Sequence, residues 1–152
     1  MKLSLFKIGK VAEEDLIKVE DWIKYCFPYT NLPKDKIVKK LTDPNYLLLK
    51  HHQKNIMTGF VEMEYLHDVG DIRLNAIFVE EAWRGQGIAT KLLHRAIHEA
   101  KRTKGIHRLF LLVKEHNVPA KNLYRSVGFE FEQAHDKDID ESKVEVWSMF
   151  VH

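Results

Sequence analysis

One short segment of the chain, Arg84-Gly85-Gln86-Gly87-Ile88-Ala89, has the residue types and spacing to bind an anion. It precedes an amphipathic run, and the first turn of a helix has backbone N–H groups without intrahelical partners and a partial positive charge. Because glycine has no Cβ, Gly85 and Gly87 would let a phosphate approach the backbone. Arg84 adds a long cationic side chain. The segment therefore predicts a site for a phosphate or pyrophosphate.

Two nucleotide-binding alternatives fit this segment less well. A dinucleotide fingerprint needs a third glycine where this chain has Thr90, and an acidic residue roughly 20 residues further on, where 107–109 contains none. A mononucleotide phosphate loop needs Gly-Lys-Ser/Thr, which is absent. A simpler alternative is that two glycines only form a tight turn, since glycine is common in proteins. The segment alone does not decide between these interpretations.

Hydrophobic periodicity predicts the elements that position this loop. Apolar residues recur every three to four positions from Gly87 to Lys104, which predicts the clearest amphipathic helix of the chain. The continuous apolar run Leu109–Val113 predicts a central strand that is covered on both faces. Tyr46–His51, Met57–Leu66 and Asp71–Val79 predict three successive strands, and the short turns between them favour antiparallel pairing.

Further elements are predicted on either side. Two helices, 13–27 and 34–41, follow a first strand at 3–8, a short helix precedes Gly128, and segments 129–133 and 144–150 form a final hairpin. We therefore expect a mixed α/β sheet of about seven strands, flanked by about four helices.

A second segment, Asn117 to Phe129, follows the predicted buried strand and reads Asn-Val-Pro-Ala-Lys-Asn-Leu-Tyr-Arg-Ser-Val-Gly-Phe. Together with the loop Arg84 to Ala89, it resembles the fingerprint of the Gcn5-related N-acetyltransferase superfamily. That fingerprint is an Arg/Gln-x-x-Gly-x-Gly/Ala loop, followed by Asn-x-x-Ala-x-x-Leu-Tyr-x-x-x-Gly-Phe. Both halves occur here in order, and the element order agrees along the chain. The resemblance implies one domain over residues 1–152, with mostly antiparallel strands that splay apart at the cofactor site.

The resemblance also implies an activity and a cofactor. The activity is direct transfer, in a ternary complex, of the acetyl group of acetyl coenzyme A to a primary amine. The loop and Thr90 would hold the pyrophosphate, the backbone of 77–79 would pair with the pantetheine arm, and Asn117 would contact that arm. Tyr124 would protonate the departing thiolate. The implied cofactor-binding residues are Ile77, Phe78, Val79, Arg84, Gly85, Gln86, Gly87, Ile88, Ala89, Thr90, Asn117 and Tyr124.

Elementary chemistry agrees with these roles. Attack of an amine on a thioester builds negative charge on the carbonyl oxygen, which backbone N–H donors of an unpaired strand edge can stabilise. The leaving thiolate, whose pKa is about 8.5, needs a proton source such as a phenol. A tyrosine beside Leu123 on a short helix could instead be half-buried packing. The surrounding motif favours the catalytic interpretation of Tyr124.

The sequence does not name the base that takes the proton of the amine. Glu80 follows the strand implied to bind the cofactor and is our first choice as a catalytic residue. Glu62, Glu64 and Asp71 lie on or near the two preceding strands and are alternatives, although a solvated carboxylate is the commoner state of each. Cys26 is far in sequence from both motifs, so we expect no covalent intermediate on it.

One segment hints at the acceptor. Phe27, Pro28 and Tyr29 resemble the segment by which ribosomal-protein and other N-terminal acetyltransferases meet the first residues of a peptide, so we predict that they bind substrate. Those enzymes carry Glu or His where this chain has Leu112, and a tyrosine-rich loop where it has 136–143. That acidic loop could instead attract a polyamine or a lysine side chain, or hold solvated charge. Protein N-terminus, lysine and small-molecule amine all stay open as acceptors.

Composition excludes other classes. Among 152 residues, 24 Lys and Arg against 22 Asp and Glu give a net charge of +2, which does not favour a nucleic-acid partner. The sequence contains no run of about 18 apolar residues, so we expect no membrane span. His94 and His98 share a helix face but lack the glutamate of a zinc-protease helix, so we predict no metal. The single cysteine fits a reducing compartment, so we expect a cytoplasmic protein. We expect a monomer or a homodimer. The runner-up function is a catalytically silent acyl-coenzyme A sensor or interaction module.

Overall fold

A computed structural model of the protein describes residues 6–27 and 34–151. These residues form seven strands and four α-helices. The strands are β1 (Phe6–Lys10), β2 (Tyr46–Gln53), β3 (Ile56–Leu66), β4 (Asp71–Val79), β5 (Arg108–Lys114), β6 (Glu130–Ala134) and β7 (Val144–Phe150). The helices are α1 (Leu16–Cys26), α2 (Lys34–Thr42), α3 (Ile88–Arg102) and α4 (Val118–Ser126).

The strands make one sheet in the order β1-β2-β3-β4-β5-β7-β6. Every neighbouring pair is antiparallel except β4 and β5, which are parallel. Parallel neighbours need a long crossover, and α3 supplies it between these two strands. The prediction of a mixed, mostly antiparallel sheet with flanking helices is therefore confirmed.

The parallel pair opens along its length. β4 and β5 are in register only where Asp71–Leu74 face Arg108–Leu111, although the strands continue to Val79 and Lys114. On its other side β4 stays paired with β3 as far as Val79. Only the edge of β4 that faces β5 is therefore left without a strand partner, and a wedge-shaped space opens between the two strands.

A β-bulge in β4 sets which side chains reach this space. Glu62 faces Ala76 and Met63 faces Leu74, so Asn75 is an extra residue without an opposite partner. A bulge shifts the alternation of side chains by one position. As a result, Leu74 packs in the core beneath α3, whereas Ala76 packs in the core beneath α1 and α2.

Two hydrophobic cores cover the two faces of the sheet. On one face the periodic apolar residues of α3 are buried, and Leu92, Leu93 and Ala96 are 0% exposed. On the other face α1 and α2 cover β2, β3 and the end of β4 around the fully buried Phe60. These cores fix the ends of α1, α3 and β4 relative to one another, because close-packed interiors resist displacement.

The prediction that β5 is covered on both faces is wrong. Alternate residues of the strand are buried, but Phe110 and Leu112 are only partly buried. Phe110 lies beneath the guanidinium group of Arg108, 4.5 Å from the ring centroid, and Leu112 faces the space between the splayed strands. An apolar run therefore marks a strand whose second face borders a cavity instead of a packed layer.

Candidate active site

The glycine loop connects the end of β4 to the start of α3. Gly85 and Gly87 have φ angles of +80° and +78°, in the left-handed region that favours glycine, and a Cβ at either position would meet nothing within 4 Å. The backbone N–H of Lys91 donates to the Gly87 carbonyl at 3.1 Å, as the first hydrogen bond of the helix, and no acidic residue lies in the first helical turn. The N–H groups of 88–90 therefore precede the first helical hydrogen bond and lie beside open space.

Arg84 joins this loop to the unpaired part of β4. Its Nε donates to the carbonyl oxygen of Val79 at 2.9 Å, and its guanidinium lies 5.5 Å from the centroid of the Phe78 ring. Four of the five guanidinium N–H donors remain without a hydrogen bond to any described residue. The side chain is thus anchored at one point and still presents positive charge at the mouth of the loop.

A cavity of about 450 Å³, the cofactor-side cavity, lies between the loop, β4 and α4. Every residue that the resemblance assigned to cofactor binding lines it, except Gln86, which is exposed. Trp83, Ala120 and Leu123 also line it. Asn117 begins α4 by accepting a hydrogen bond from the Ala120 N–H at 3.2 Å, and this cap holds its side chain at the cavity wall.

Tyr124 lies on the wall between two cavities. It lines the cofactor-side cavity and also the splay cavity, a space of about 500 Å³ between β4 and β5. Its ring packs edge-on against Phe129 at 6.0 Å. Burial raises the pKa of Tyr124 to about 12, and the nearby Cys26 thiol adds a smaller increase. The phenol therefore keeps its proton at neutral pH and can act as a donor.

Cys26 also lines the splay cavity, together with Tyr124. Its distance along the sequence is thus misleading, because packing of α1 on the sheet brings the end of that helix to the splayed strands. Burial raises the pKa of Cys26 to about 11, and the Arg84 charge opposes this only in part. A thiol that stays protonated near neutral pH is a weak nucleophile, which argues against a covalent intermediate on it.

A third space of about 290 Å³, the acceptor-side cavity, adjoins the splay cavity. The two share the lining residues Phe27, Arg73, Asn75 and Ala76. Phe27, predicted to bind substrate, is therefore at this end of the site. Pro28 and Tyr29, predicted with it, lie outside the described residues.

Two carboxylates stand in the wall of the acceptor-side cavity. Glu62 is only 3% exposed, and Lys40 Nζ lies 3.1 Å from its Oε2. The Asn75 side-chain amide donates to Glu62 at 2.8 Å and to Glu64 at 3.0 Å. Burial raises the pKa of Tyr46, and the charges of Glu64 and Glu62 raise it further. The cluster therefore places two hydrogen-bonded carboxylates where an amine could approach.

Glu80, the first choice for the base, lies elsewhere. Its side chain is 40% exposed and forms an ion pair with Lys18 at 3.8 Å. It lines none of the three cavities, among the residues that the structure describes. Asp71 is held by Arg108 at 2.7 Å, at the closed end of the splay. Of the four candidate carboxylates, the fold brings Glu62 and Glu64 to the cavities.

Comparison with known proteins agrees with this geometry. A family model described as "Acetyltransferase (GNAT) family" matches residues 15–129. The chain belongs to this family. The resemblance drawn from the two motifs is therefore confirmed.

Relatives of this GNAT protein differ in their named acceptors. The [Ribosomal protein bS18]-alanine N-acetyltransferase of Haemophilus ducreyi is 36% identical over 84 residues, 55% of this chain and 56% of that protein. The spermine/spermidine N(1)-acetyltransferase of Bacillus subtilis is 29% identical over 72 residues, 47% of each chain. The matches thus span about half the length of these curated relatives. The crystal structure of Arabidopsis thaliana NAA60 in complex with acetyl-CoA has the same fold, with a TM-score of 0.82, 16% identity and coverage of 96% and 98%.

The β6–β7 loop of this GNAT protein reaches the splay cavity. Ile139 lines it, and Asp140 lies 3.5 Å from the Lys114 ammonium, so part of the acidic charge of the loop is used in an ion pair. Leu112 lines the same cavity, at the position where N-terminal acetyltransferases are expected to carry Glu or His. The side chain at that position therefore supplies no base.

Within 6–27 and 34–151, no group of three or more His, Cys, Asp or Glu side chains is placed to hold a metal ion. In the same ranges no helix is both long and apolar enough to cross a bilayer.

Several residues of the acceptor side were not predicted from the sequence. They are Lys40, Tyr46, Arg73 and Asn75. The spacing of Glu62 and Glu64 places both on one face of a strand, which is a usable signal. The bulge at Asn75 has no comparable signal, because asparagine is not a special residue in a strand sequence.

Proposed function

We propose that the protein transfers the acetyl group of acetyl coenzyme A to a primary amine, by direct transfer within a ternary complex. The observation that carries the proposal is the position of Tyr124 on the wall shared by the glycine-loop cavity and the splay cavity. Family membership and the names of the relatives support acetyl transfer to an amine. The acetyl-CoA named with NAA60 supports the cosubstrate.

The cofactor side fits the proposed cosubstrate. The first-turn N–H groups of α3 and the Arg84 guanidinium would bind the pyrophosphate, in the space left open at Gly85 and Gly87. The unpaired edge of 77–79 would bind the pantetheine arm through its backbone. Acetyl coenzyme A supplies the thioester carbonyl that the amine attacks. Each of these roles uses residues that line one cavity.

In the proposed reaction, the acceptor-side carboxylates accept a proton from the amine and Tyr124 donates one to the leaving group. The amine reaches the site as an ammonium ion, and Glu62 and Glu64 would attract it and accept its proton, directly or through water. The neutral nitrogen then forms the C–N bond while the C–S bond breaks. Tyr124 Oη gives its proton to the sulfur, and the second amine proton leaves to solvent, from which Tyr124 is reprotonated. The carboxylate then releases the first amine proton to solvent. Glu80 remains the alternative base.

Ligand stabilisation tests the cosubstrate. Acetyl-CoA and coenzyme A at a hundred times their dissociation constants should each stabilise the fold by about 2.7 kcal/mol. For a chain of this size that raises the melting temperature by roughly 5–10 °C. ATP and NAD should have little effect, because the loop lacks the residues of either nucleotide site. Equal stabilisation by ATP would contradict the proposal.

Thiol release on an amine panel tests the activity. The panel holds N-terminal peptides, lysine peptides, polyamines, aminoglycosides and amino acids, and release of coenzyme A is followed with a thiol reagent. The second candidate is a catalytically silent acyl-coenzyme A sensor. It is favoured by Leu112, because this apolar side chain lines the splay cavity and cannot accept a proton from an amine. Stabilisation by acetyl-CoA without thiol release on any amine would select the sensor.

A further inference from the structure

Arg73 on β4 is a cation that the proposed reaction does not use. It lines both the splay cavity and the acceptor-side cavity. Its Nε is buried and has no hydrogen-bond partner. Among the described residues its guanidinium forms neither a hydrogen bond nor an ion pair. Because a buried donor without a partner is unfavourable, a ligand that brings an acceptor to this position would be bound preferentially.

The absence of an ion pair for Arg73 among the described residues is unexpected, because an acidic residue lies opposite it in the sheet. Glu64 is its direct partner in the β3–β4 register, where opposite charges usually pair. No ion pair joins the two side chains in the part of the chain that the structure describes. Glu64 accepts instead from Asn75, the bulged residue, at 3.0 Å. The bulge therefore keeps a negative and a positive group apart, in the wall of one cavity.

The charges of the acceptor-side cavity are balanced. Its charged lining residues are Lys40, Glu62, Glu64 and Arg73, two of each sign. Lys40 pairs with Glu62 at 3.1 Å, whereas Glu64 and Arg73 form no ion pair with any described residue and Glu64 is held by hydrogen bonds from neutral groups. A polycation would meet Arg73 unfavourably. A molecule that carries one amine and one carboxylate would satisfy both groups.

We propose that the acceptor is an amine that also carries a carboxylate, and that Arg73 is the residue that recognises this carboxylate. The planar guanidinium fork binds carboxylates through two parallel hydrogen bonds, while Glu64, with Glu62, holds the ammonium group. A volume of about 290 Å³ suits the head of an amino acid, since one liquid water occupies about 30 Å³. This inference rests on the proposed function and narrows its acceptor.

Pairs of acceptors that differ only in a carboxylate or its amide test this inference at saturating acetyl-CoA. One arm compares glycine and alanine with their amides, and the other compares C-terminally amidated peptides with Asp or Asn as the second residue. The ratio of kcat/KM within each pair, from thiol release, should favour the carboxylate by about tenfold or more. The arm with the larger ratio identifies the source of the carboxylate. Converting the carboxylate of an amino acid to an amide lowers the pKa of its amine, so a larger fraction of the amide is neutral and reactive. This effect opposes the expected preference for the carboxylate, so a measured preference cannot arise from amine basicity.

Variants of Arg73 assign the preference. Arg73→Gln should reduce the ratio at least tenfold, mainly by raising KM for the carboxylate partner. Arg73→Lys should recover only part of it, because an ammonium keeps the charge but loses the fork. The matched control is Arg102→Gln, since Arg102 pairs with Glu99 and lies outside these cavities. A ratio that Arg73→Gln leaves unchanged overturns the inference.

The melting temperature separates recognition from a structural role. Arg73 donates no hydrogen bond to a described residue, so Arg73→Gln should melt at or above the wild-type temperature. A decrease of more than about 5 °C would overturn the inference by showing that the fold depends on Arg73.

Failures of the two proposals look different. Thiol release with equal rates inside every pair, or fastest release with polyamines, overturns the carboxylate inference and leaves acetyl transfer intact. Absence of thiol release on every amine contradicts the proposed function itself.

Discussion

The cofactor side and the acceptor side meet at Tyr124 but are built differently. The cofactor side comes mainly from one stretch of chain, 77–90, and offers backbone N–H groups, glycines and apolar side chains. The acceptor side combines α1, α2, β2, β3 and β4, and its polar groups are side chains, most of them charged. A site made of backbone suits a ligand that never changes. A site made of side chains can be altered one residue at a time, which fits the different acceptors named for the relatives.

The largest expected effect comes from the residue that both sides share. Tyr124→Phe keeps the ring contact with Phe129 but removes the proton donor. We expect kcat to fall about 10²- to 10⁴-fold, with little change in the KM for the amine or in stabilisation by acetyl-CoA. Tyr65→Phe is the matched control, because Tyr65 lines a different cavity. Unchanged turnover in Tyr124→Phe would remove this residue as the acid.

Cys26, on the splay cavity between the two sides, should react slowly with alkylating reagents. A pKa of about 11, raised above its ordinary value, leaves little thiolate at pH 8. Part of that loss is offset because thiolates of higher pKa are better nucleophiles, so iodoacetamide should react about tenfold more slowly than with a free thiol. The rate should rise as the pH increases toward 11.

Mass spectrometry of the alkylated protein between pH 7 and 11 measures this rate. The protein unfolded in urea is the control, since there the same thiol has its ordinary pKa. Acetyl-CoA should slow the reaction further if the two sides are in contact. A folded protein that reacts as fast as the unfolded one at pH 8 would show that the splay cavity does not shield the Cys26 thiol.

The smallest of these effects separates the two sides. Glu64→Gln should raise the KM for the amine by roughly five- to tenfold, because an amide no longer attracts the ammonium group. Stabilisation by acetyl-CoA should not change, since Glu64 does not line the cofactor-side cavity. Glu80→Gln is measured in parallel. A larger loss in Glu80→Gln would restore Glu80 as the base, and weaker acetyl-CoA binding in Glu64→Gln would break the distinction between the sides.

The same difference explains what the sequence could predict. Arg84 to Thr90 and Asn117 to Tyr124 are contiguous segments whose conformations follow from local rules for glycines, helix starts and caps, so they could be placed without a structure. The order of strands and helices also follows from periodicity. These are local properties of the chain.

The acceptor side could not be predicted in the same way. Arg73 and Glu64 become neighbours only through the β3–β4 register, and the bulge at Asn75 decides which face each residue joins. Cys26 reaches Tyr124 only because α1 packs across the sheet. Glu80 directly follows the strand that the resemblance assigns to cofactor binding, but its side chain turns toward Lys18 on α1. Long-range packing, which no short motif records, sets these positions.

The narrow contact between β4 and β5 has a mechanical consequence. Only four residue pairs join the strands, so the sheet consists of two halves, β1–β4 and β5–β7, that are hydrogen-bonded to each other at one end only. Toward the open end, α3 and its core hold the two halves together, without a ladder of hydrogen bonds between them. A molecule bound to the free edge of β4 would act as a missing strand, and it would stiffen the sheet where its two halves are least constrained. Occupancy and rigidity would then rise together.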